Sequence, residues 1–396
     1  MITRNRKKEH IFTLVFIALI ALLAVLPTGF ARQIYVNSEG ARAKVVAVDN
    51  SSIYDNGLIR QGDQKCEIEI LSGAHKGEIA TAINMLIGKM DLDKLFEPGD
   101  IGWVIIENKN DGSINFVNMV DYFRFPKELL LIGLFAALLV VFSGFTGVRT
   151  ILSFTFTLLA IWKILIPLSL NGYPPLLVAL LVGSLITVTT LLMVAGFSQK
   201  AYAAIGGAIV ASLLTCLLAV VFTRYLGIHG AILQWSESLL YSGFQNLDLT
   251  QIFMAGVYLA CSGAILDLAV DISAALDEIV IHKPDISRKE LLTSGLTIGK
   301  SVVGTQTSTL LLAYMGSYIS VMMVYMAQST PMMSILNSKP IAGEILHTFV
   351  GCIGLVLVSP LTSLIASFMY TRIKNKNKAI ETTSLVTEPS ENQSFN

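Results

Sequence analysis

The sequence predicts a polytopic α-helical membrane protein of about eight transmembrane helices. A small extracytoplasmic all-β domain, an OB- or SH3-like barrel, is inserted after the first helix. Three observations predict this. The chain is 53% hydrophobic and 14% charged, against roughly 25% charged in ordinary soluble domains. Its charges are segregated: of 28 basic and 28 acidic side chains, 26 fall in residues 31–128, 10 in 129–281 and only two, Lys339 and Glu344, in 301–371. Outside the charged insert, apolar runs of bilayer length recur, where about 20 helical residues cross the hydrocarbon.

The elements follow in chain order. Residues 1–30 read as a basic cytoplasmic end (Arg4, Arg6, Lys7, Lys8) and an uncleaved anchor over 11–29. Residues 31–125 form the β domain. Short β-type runs at 43–48, 66–71, 78–83, 101–107 and 114–120 are separated by turn signals such as Asp55-Asn56-Gly57 and Asn110-Asp111-Gly112. Five or six short strands in about 90 residues suit a small barrel. His75 reads as a lone turn histidine, and Cys66 has no partner in this domain for a disulfide. Residues 126–371 hold the other seven spans, at 129–145, 150–170, 174–196, 201–226, 250–270, 301–326 and 341–370. The sixth of the eight helices runs on to about residue 281. Lys163 reads as a snorkelling side chain at one span end. The tail, 372–396, is rich in Thr, Ser, Glu and Asn and reads as disordered.

Lys and Arg set the orientation. Arg149, Lys200, the 282–300 loop (Lys283, Arg288, Lys289, Lys300) and the tail (Arg372, Lys374, Lys376, Lys378) alternate with connections that carry at most one basic residue. Both termini are therefore expected in the cytoplasm, and residues 31–125 outside it.

Composition and motifs also exclude. The formal net charge is zero, and no basic domain is present to bind nucleic acid. No Walker A motif or Gly-rich nucleotide loop occurs, so no direct nucleotide use is expected. Cys66, Cys216, Cys261 and Cys352 lack metal-type spacing. No catalytic set, cofactor or metal site is expected, and the chain reads as a non-enzyme.

The informative chemistry lies in two spans. Asp248 and Gln251 mark a helix start, after which Asp267, Asp271 and Glu278 fall within about 40° of one another at 100° per residue. Intramembrane carboxylates are expensive and mark function by default. The next span opens at a capping box, Ser287 and Glu290, which predicts a short cytoplasmic helix from about residue 288. Gly295, Gly299 and Gly304 punctuate it. The run Gly304-Thr305-Gln306-Thr307-Ser308-Thr309 then places hydroxyls and an amide inside the bilayer, at the depth of the acids. Polar stretches at that depth pack on protein or line a wet cavity. The candidate substrate- or ion-binding residues are Asp267, Asp271, Thr305, Gln306, Ser308 and Thr309. Glu278, Glu344 and His347 are secondary candidates. The last two share a face near the outer end of the eighth span, where interfacial residues are common.

The pattern Ser262-Gly263-Ala264, Asp267, Asp271-Ile272, Glu278-Ile279, then Gly304-Thr305, Thr309-Leu310-Leu311-Leu312-Ala313-Tyr314 and Gly316 resembles the signature of YibE/F-like membrane proteins. Gly77-Glu78 and Pro98-Gly99-Asp100 look like that family's N-terminal β region. Ser308 stands where the family pattern carries Asn. The resemblance implies a multi-pass protein of the bacterial cell membrane and supplies no substrate. Two functions compete. One is a transporter or solute- or ion-handling permease that sets the acidic helix against the polar segment. The other is a structural or regulatory protein that presents an extracytoplasmic partner-binding domain without transport. Besides the lipid bilayer, the expected partners are a second copy or a paralogous membrane protein.

Overall fold

The computed structural model describes residues 6–30 and 37–386, with side chains for 11–30 and 37–371. The start of the predicted basic end, residues 1–5, and residues 387–396 of the predicted disordered tail lie outside the described residues, whereas residues 372–386 of that tail are helical. The chain divides into two compact units, Gly29–Phe142 on one hand and Met1–Thr28 with Ser143–Asn396 on the other.

The first unit contains the β domain. Its strands are β1 (Ser38–Asp49), β2 (Ile53–Asp55), β3 (Arg60–Ile70), β4 (Ile79–Ile87), β5 (Ile101–Asn108) and β6 (Ile114–Tyr122). All five predicted runs are strands, and β2 is a short addition hairpinned onto β3. The hydrogen-bonded order is β1-β5-β6-β4-β3-β2, and a further β1–β3 pairing closes five strands into a barrel. β1 can serve two neighbours because it is long and bulged: Ala43 faces both Gly102 of β5 and Ile70 of β3, and the register slips between Val45 and Ala47. Period-2 alternation sends Ala41, Ala43 and Val45 of β1 and Cys66, Ile68 and Ile70 of β3 inward. Phe96, Val104, Ile106 and Val117 complete the core.

One polar group is buried with them. Gln64 donates to Asn50 Oδ1 and Phe96 O, both at 2.9 Å, and accepts from Phe96 N and Asn84 Nδ2, both at 3.0 Å. Every polar atom of its amide is matched, as burial demands. This fastens the 88–100 connection across the barrel's mouth. His75 is buried as well, which corrects the expectation of a turn histidine without a role. Its ring lies 3.2 Å from Glu78 Oε2 and 2.9 Å from Asn108 Oδ1.

The helices are α1 (Arg6–Val25), α2 (Phe125–Ala160), α3 (Ile166–Leu170), α4 (Pro175–Ala195), α5 (Gln199–Tyr225), α6 (Ser236–Tyr241), α7 (Leu249–His282), α8 (Arg288–Ala327), α9 (Met332–Leu336) and α10 (Lys339–Val386). Among the described residues, six helical stretches are long and apolar enough to cross a membrane, and Ile11–Val25 is a shorter apolar helix. Phe125–Leu170 is one helical stretch, but non-helical backbone at Gly144 divides it into two helices, in keeping with a second and a third span. The residues read as a loop around Arg149 are helical. The stretch departs from helix at Gly144 (φ 57°, ψ −131°), a conformation open to glycine. It passes through a π turn at Ile161–Leu165. Lys163, on that turn, does not snorkel outward: its Nζ donates to Leu26 O at 2.9 Å, an orphan carbonyl just past the end of α1. Phe16 and Leu23 of α1 pack with Phe156, Val178 and Val182.

The second unit is built around α5, α7 and α10. Gly207 of α5 meets Thr362, and Gly295 and Gly299 of α8 meet Ser363 and Ser359, so that a Cβ at any of the three would collide with α10. Glycine and hydroxyl residues let apolar helices approach closely where no hydrophobic force between helices exists. This seam explains why α8 continues unbroken through its glycines. The short cytoplasmic helix expected from residue 288 is instead the first turns of α8, which starts at the Ser287–Glu290 capping box.

Candidate functional site

α7 begins where Asp248 accepts hydrogen bonds from Gln251 N and Nε2, and it buries one face completely. Cys261, Ile265, Leu268, Ala269, Ile272 and Leu276 are inaccessible. At 100° per residue the opposite face carries Gly256, Ala260, Gly263, Asp267 and Asp271, all exposed. The burial of α7 therefore fixes where the two carboxylates point, which is away from the core. Glu278 continues the stripe and pairs with His282 at 2.9 Å, both exposed.

α8 runs antiparallel beside α7. Leu276 lies against Gly295, and Ile272 lies against Gly299. Further along, Cys261 Sγ lies 3.7 Å from Tyr314 Oη. One turn back along α7 is one turn forward along α8. By that register Asp271 is about level with Lys300, and Asp267 with Gly304 and Thr305. The acids and the hydroxyl run are thus level along the helix pair. Thr305, Ser308 and Thr309 are exposed and Gln306 is half-buried. Helical phase puts Ser301, Thr305 and Ser308 on the side of α8 that flanks the open edge of α7. Acids and hydroxyls share one open face.

They do not bond to each other. The hydroxyls return to their own helix: Thr305 to Val302 O at 2.9 Å, Thr307 to Val303 O at 2.7 Å, Ser308 to Gly304 O at 3.1 Å and Thr309 to Thr305 O at 3.0 Å. Back-bonding of this kind spares the lipid an open hydroxyl and still leaves oxygen lone pairs on the surface. Nothing lies within 4 Å of a Cβ built on Gly263, Gly304 or Gly316. Further along the same groove, Ala275, Glu278, Ile279, His282, Lys283 and Ile298 line an open hollow.

Glu344 and His347 sit elsewhere, on a face turned toward protein. The α10 face bearing them, with Thr348 and Gly351, packs into the junction with α7 and α8, where Gly351 faces Cys261 and Leu310. The His347 ring lies 4.3 Å from that of Tyr314. Glu344 Oε2 and His347 Nδ1 are 3.9 Å apart, too far for a hydrogen bond. Glu344 Oε1, His347 Nε2 and Thr348 Oγ1 are buried without a partner. Tyr314 and Cys261 are not singled out from sequence as site residues. Their signal, a hydroxyl or thiol on an otherwise apolar turn, is common to buried helix contacts. Among the described residues, no group of three or more His, Cys, Asp or Glu side chains could hold a metal ion.

No curated protein and no solved structure matches the chain. The YibE/F-like protein family matches residues 131–372. That match takes in both α7 and α8 with the whole acid–hydroxyl face, and it begins after the barrel. Gly77-Glu78 and Pro98-Gly99-Asp100 fall outside it. It spans more than half of the sequence, and the chain belongs to the YibE/F-like family.

Proposed function

We propose that this chain is a multi-pass permease of the bacterial cell membrane that handles a small cation or polar solute along the α7–α8 face. One observation carries the reading: Asp267 and Asp271 lie exposed on α7, level with the hydroxyl run of α8. Carboxylates and hydroxyls are hard oxygen donors, suited to a cation, a proton or a hydrogen-bonding solute. In this reading both termini are cytoplasmic, α1 is a retained anchor, and residues 31–125 form an extracytoplasmic barrel whose strand order has OB connectivity. The back-bonded α8 hydroxyls support a second reading, a structural or regulatory protein in which the barrel engages a partner and α7–α8 only assembles.

Two measurements separate these readings. Purified protein in liposomes is screened for uptake across a panel of monovalent and divalent cations. Asp267→Asn and Asp271→Asn are then compared with wild type for uptake and for thermal melting. Asn is nearly isosteric, so it removes the charge and spares the packing. The expected outcome is at least a tenfold loss of uptake in either variant with an unchanged melt. Full uptake in both variants would sink the permease reading.

A further inference from the structure

We propose that Glu344 and His347 form a proton-binding site where α10 meets α7 and α8, and that the permease moves its solute together with the proton held there. The coupling rests on the permease reading; the proton site does not. Glu344, His347 and Thr348 stand at i, i+3 and i+4 on one face of α10. A turn further on, Gly351 has no side chain and lets that face close on Cys261 of α7 and Leu310 of α8. Tyr314 of α8 spans the junction. Its ring lies 4.3 Å from the His347 ring, and its hydroxyl lies 3.7 Å from Cys261 Sγ. Three polar atoms in this one place are inaccessible and have no hydrogen bond among the described residues: Glu344 Oε1, His347 Nε2 and Thr348 Oγ1. Thr348 is 3% exposed, and the Glu344 and His347 side chains are 11% and 22% exposed. Buried polar groups in native folds are matched by protein or by something bound.

The chemistry selects the occupant. Among the described residues, no charged group of a neighbouring element acts on the Glu344 carboxyl or the His347 ring. The titratable groups around them, Tyr314 and Tyr318 of α8, Cys261 of α7 and Cys352 of α10, are neutral at ordinary pH. Arg224 of α5, His229 before the 230–232 turn and Lys339 at the start of α10 are exposed. An ionised carboxylate at the junction is therefore an uncompensated buried charge, which is costly. One proton removes that cost. It sits on the carboxyl beside a neutral imidazole, or on the imidazole beside a carboxylate, and both forms have zero net charge. Binding takes the pair from one negative charge to none, release restores the charge, and the proton comes from and returns to water. Glu344 Oε2 and His347 Nδ1 are 3.9 Å apart, a gap that one water bridges. A metal ion asks for more donors, and no set of three His, Cys, Asp or Glu side chains gathers among the described residues. The site adjoins the α7–α8 face without overlapping it. Tyr314 follows Thr309 by five residues and Cys261 precedes Asp267 by six, about 8 and 9 Å along the helices. Proton and solute are held at once, as symport requires.

Infrared difference spectra of the full-length chain in lipid, taken between about pH 5 and pH 9, read the proton through the carboxylic C=O band. Wild type is expected to show a band that Glu344→Gln removes and that His347→Gln moves along the pH axis. Bands from Asp267 and Asp271 stay in place in both variants. His347→Gln carries the test if melting shows that the amide at 344 unfolds the junction. In proteoliposomes, an inward proton gradient is expected to raise wild-type uptake about threefold or more, and both variants are expected to lose that gain. Spectra of both variants identical with wild type overturn the proton site. Wild-type uptake that an inward proton gradient leaves unchanged or slows overturns the coupling. Protein that takes up no solute yet loses the band in Glu344→Gln removes the permease and keeps the proton site. Uptake that Asp267→Asn abolishes and no proton gradient alters keeps the permease and removes the coupling.

Discussion

His75 ties three parts of the barrel together. From the turn after β3 it reaches Glu78 in the same turn, Asn108 at the end of β5, and, at 3.8 Å, Glu39 of β1. The hydrogen bond to Glu78 is the main reason its imidazole titrates above the ordinary histidine value, with Asn108 and the nearby carboxylates adding to it. A raised value means that the fold prefers the protonated ring. Its contribution to stability is full below about pH 6.5, the unfolded value. It is lost as pH rises through the folded value. Asp49 and Asp111 behave oppositely. The Ser51 N–H and the Ser113 hydroxyl hold them low, so their contributions disappear only in acid, outside that window. The barrel expressed as residues 31–125 is expected to melt lower at pH 8.5 than at pH 6, and His75→Gln to flatten that slope. An unchanged slope in the variant would assign the pH dependence to another group. From the sequence His75 was visible only as a residue between Ala74 and Lys76. Glu78 is three residues on, but Asn108 and Glu39 lie 33 and 36 positions away, and strand pairing that no local pattern encodes brings them in.

At the scale of elements, α8 shows what periodicity can and cannot reveal. Its capping box and its polar run are local signals, and both are present in the fold. Its glycines look alike in sequence yet fall into two classes. Gly295 and Gly299 touch α10, and Gly304 and Gly316 touch nothing within 4 Å. The difference depends on Ser359 and Ser363, some sixty residues on, so no window on α8 discloses it. Gly299→Ala is expected to push α8 off Ser359 and to cost about 1–3 kcal/mol, as overpacking does. Gly316→Ala, with free space and a better helix former, is expected to be neutral or to stabilise by up to about 1 kcal/mol. Thermal melts of the two variants in detergent check this, and equal losses would mean that the seam is not where the structure puts it. The placing of the break between the second and third predicted spans at Gly144 has a similar cause. Thr146-Gly147-Val148-Arg149 reads as a short loop because it holds a charge and a glycine. In the fold Gly147 and Arg149 are buried helical positions, and the chain turns at Gly144 instead.

For the whole molecule, segregation of charge was enough to separate barrel from helices, because hydration energy acts on averages over many residues. The sidedness of that arrangement is open to direct labelling. Single cysteines at Asn110 and Ser287, in a chain whose four native cysteines are replaced, are expected to react oppositely with an impermeant maleimide applied to intact cells. Position 110 should label and position 287 should not. Labelling at 287 would invert the topology and with it the reading of the basic loops. The candidate face was legible in part. Helical phase predicts one acidic stripe and one polar run, and the two are level along the α7–α8 pair. That the stripe points away from the bundle depends on which side of α7 meets α5 and α10, and this is settled by packing far from the stripe.

The double pairing of β1 carries a further consequence. Closing the barrel through β1 and β3 pairs both sides of β1, so the idle N–H and C=O groups of the long strands gather where β4 and β6 meet, through Ala82–Val117 and Ile83–Asn118 alone, and at three-residue β2. Docking by strand addition, which many sheet proteins use to seize extended peptides, is therefore confined in this domain to the β4–β6 border and to β2. The same closure guards it against edge-to-edge aggregation. Recognition by any other part of the barrel is left to side chains and turns, where selectivity changes with surface substitutions that leave the barrel's hydrogen bonding untouched.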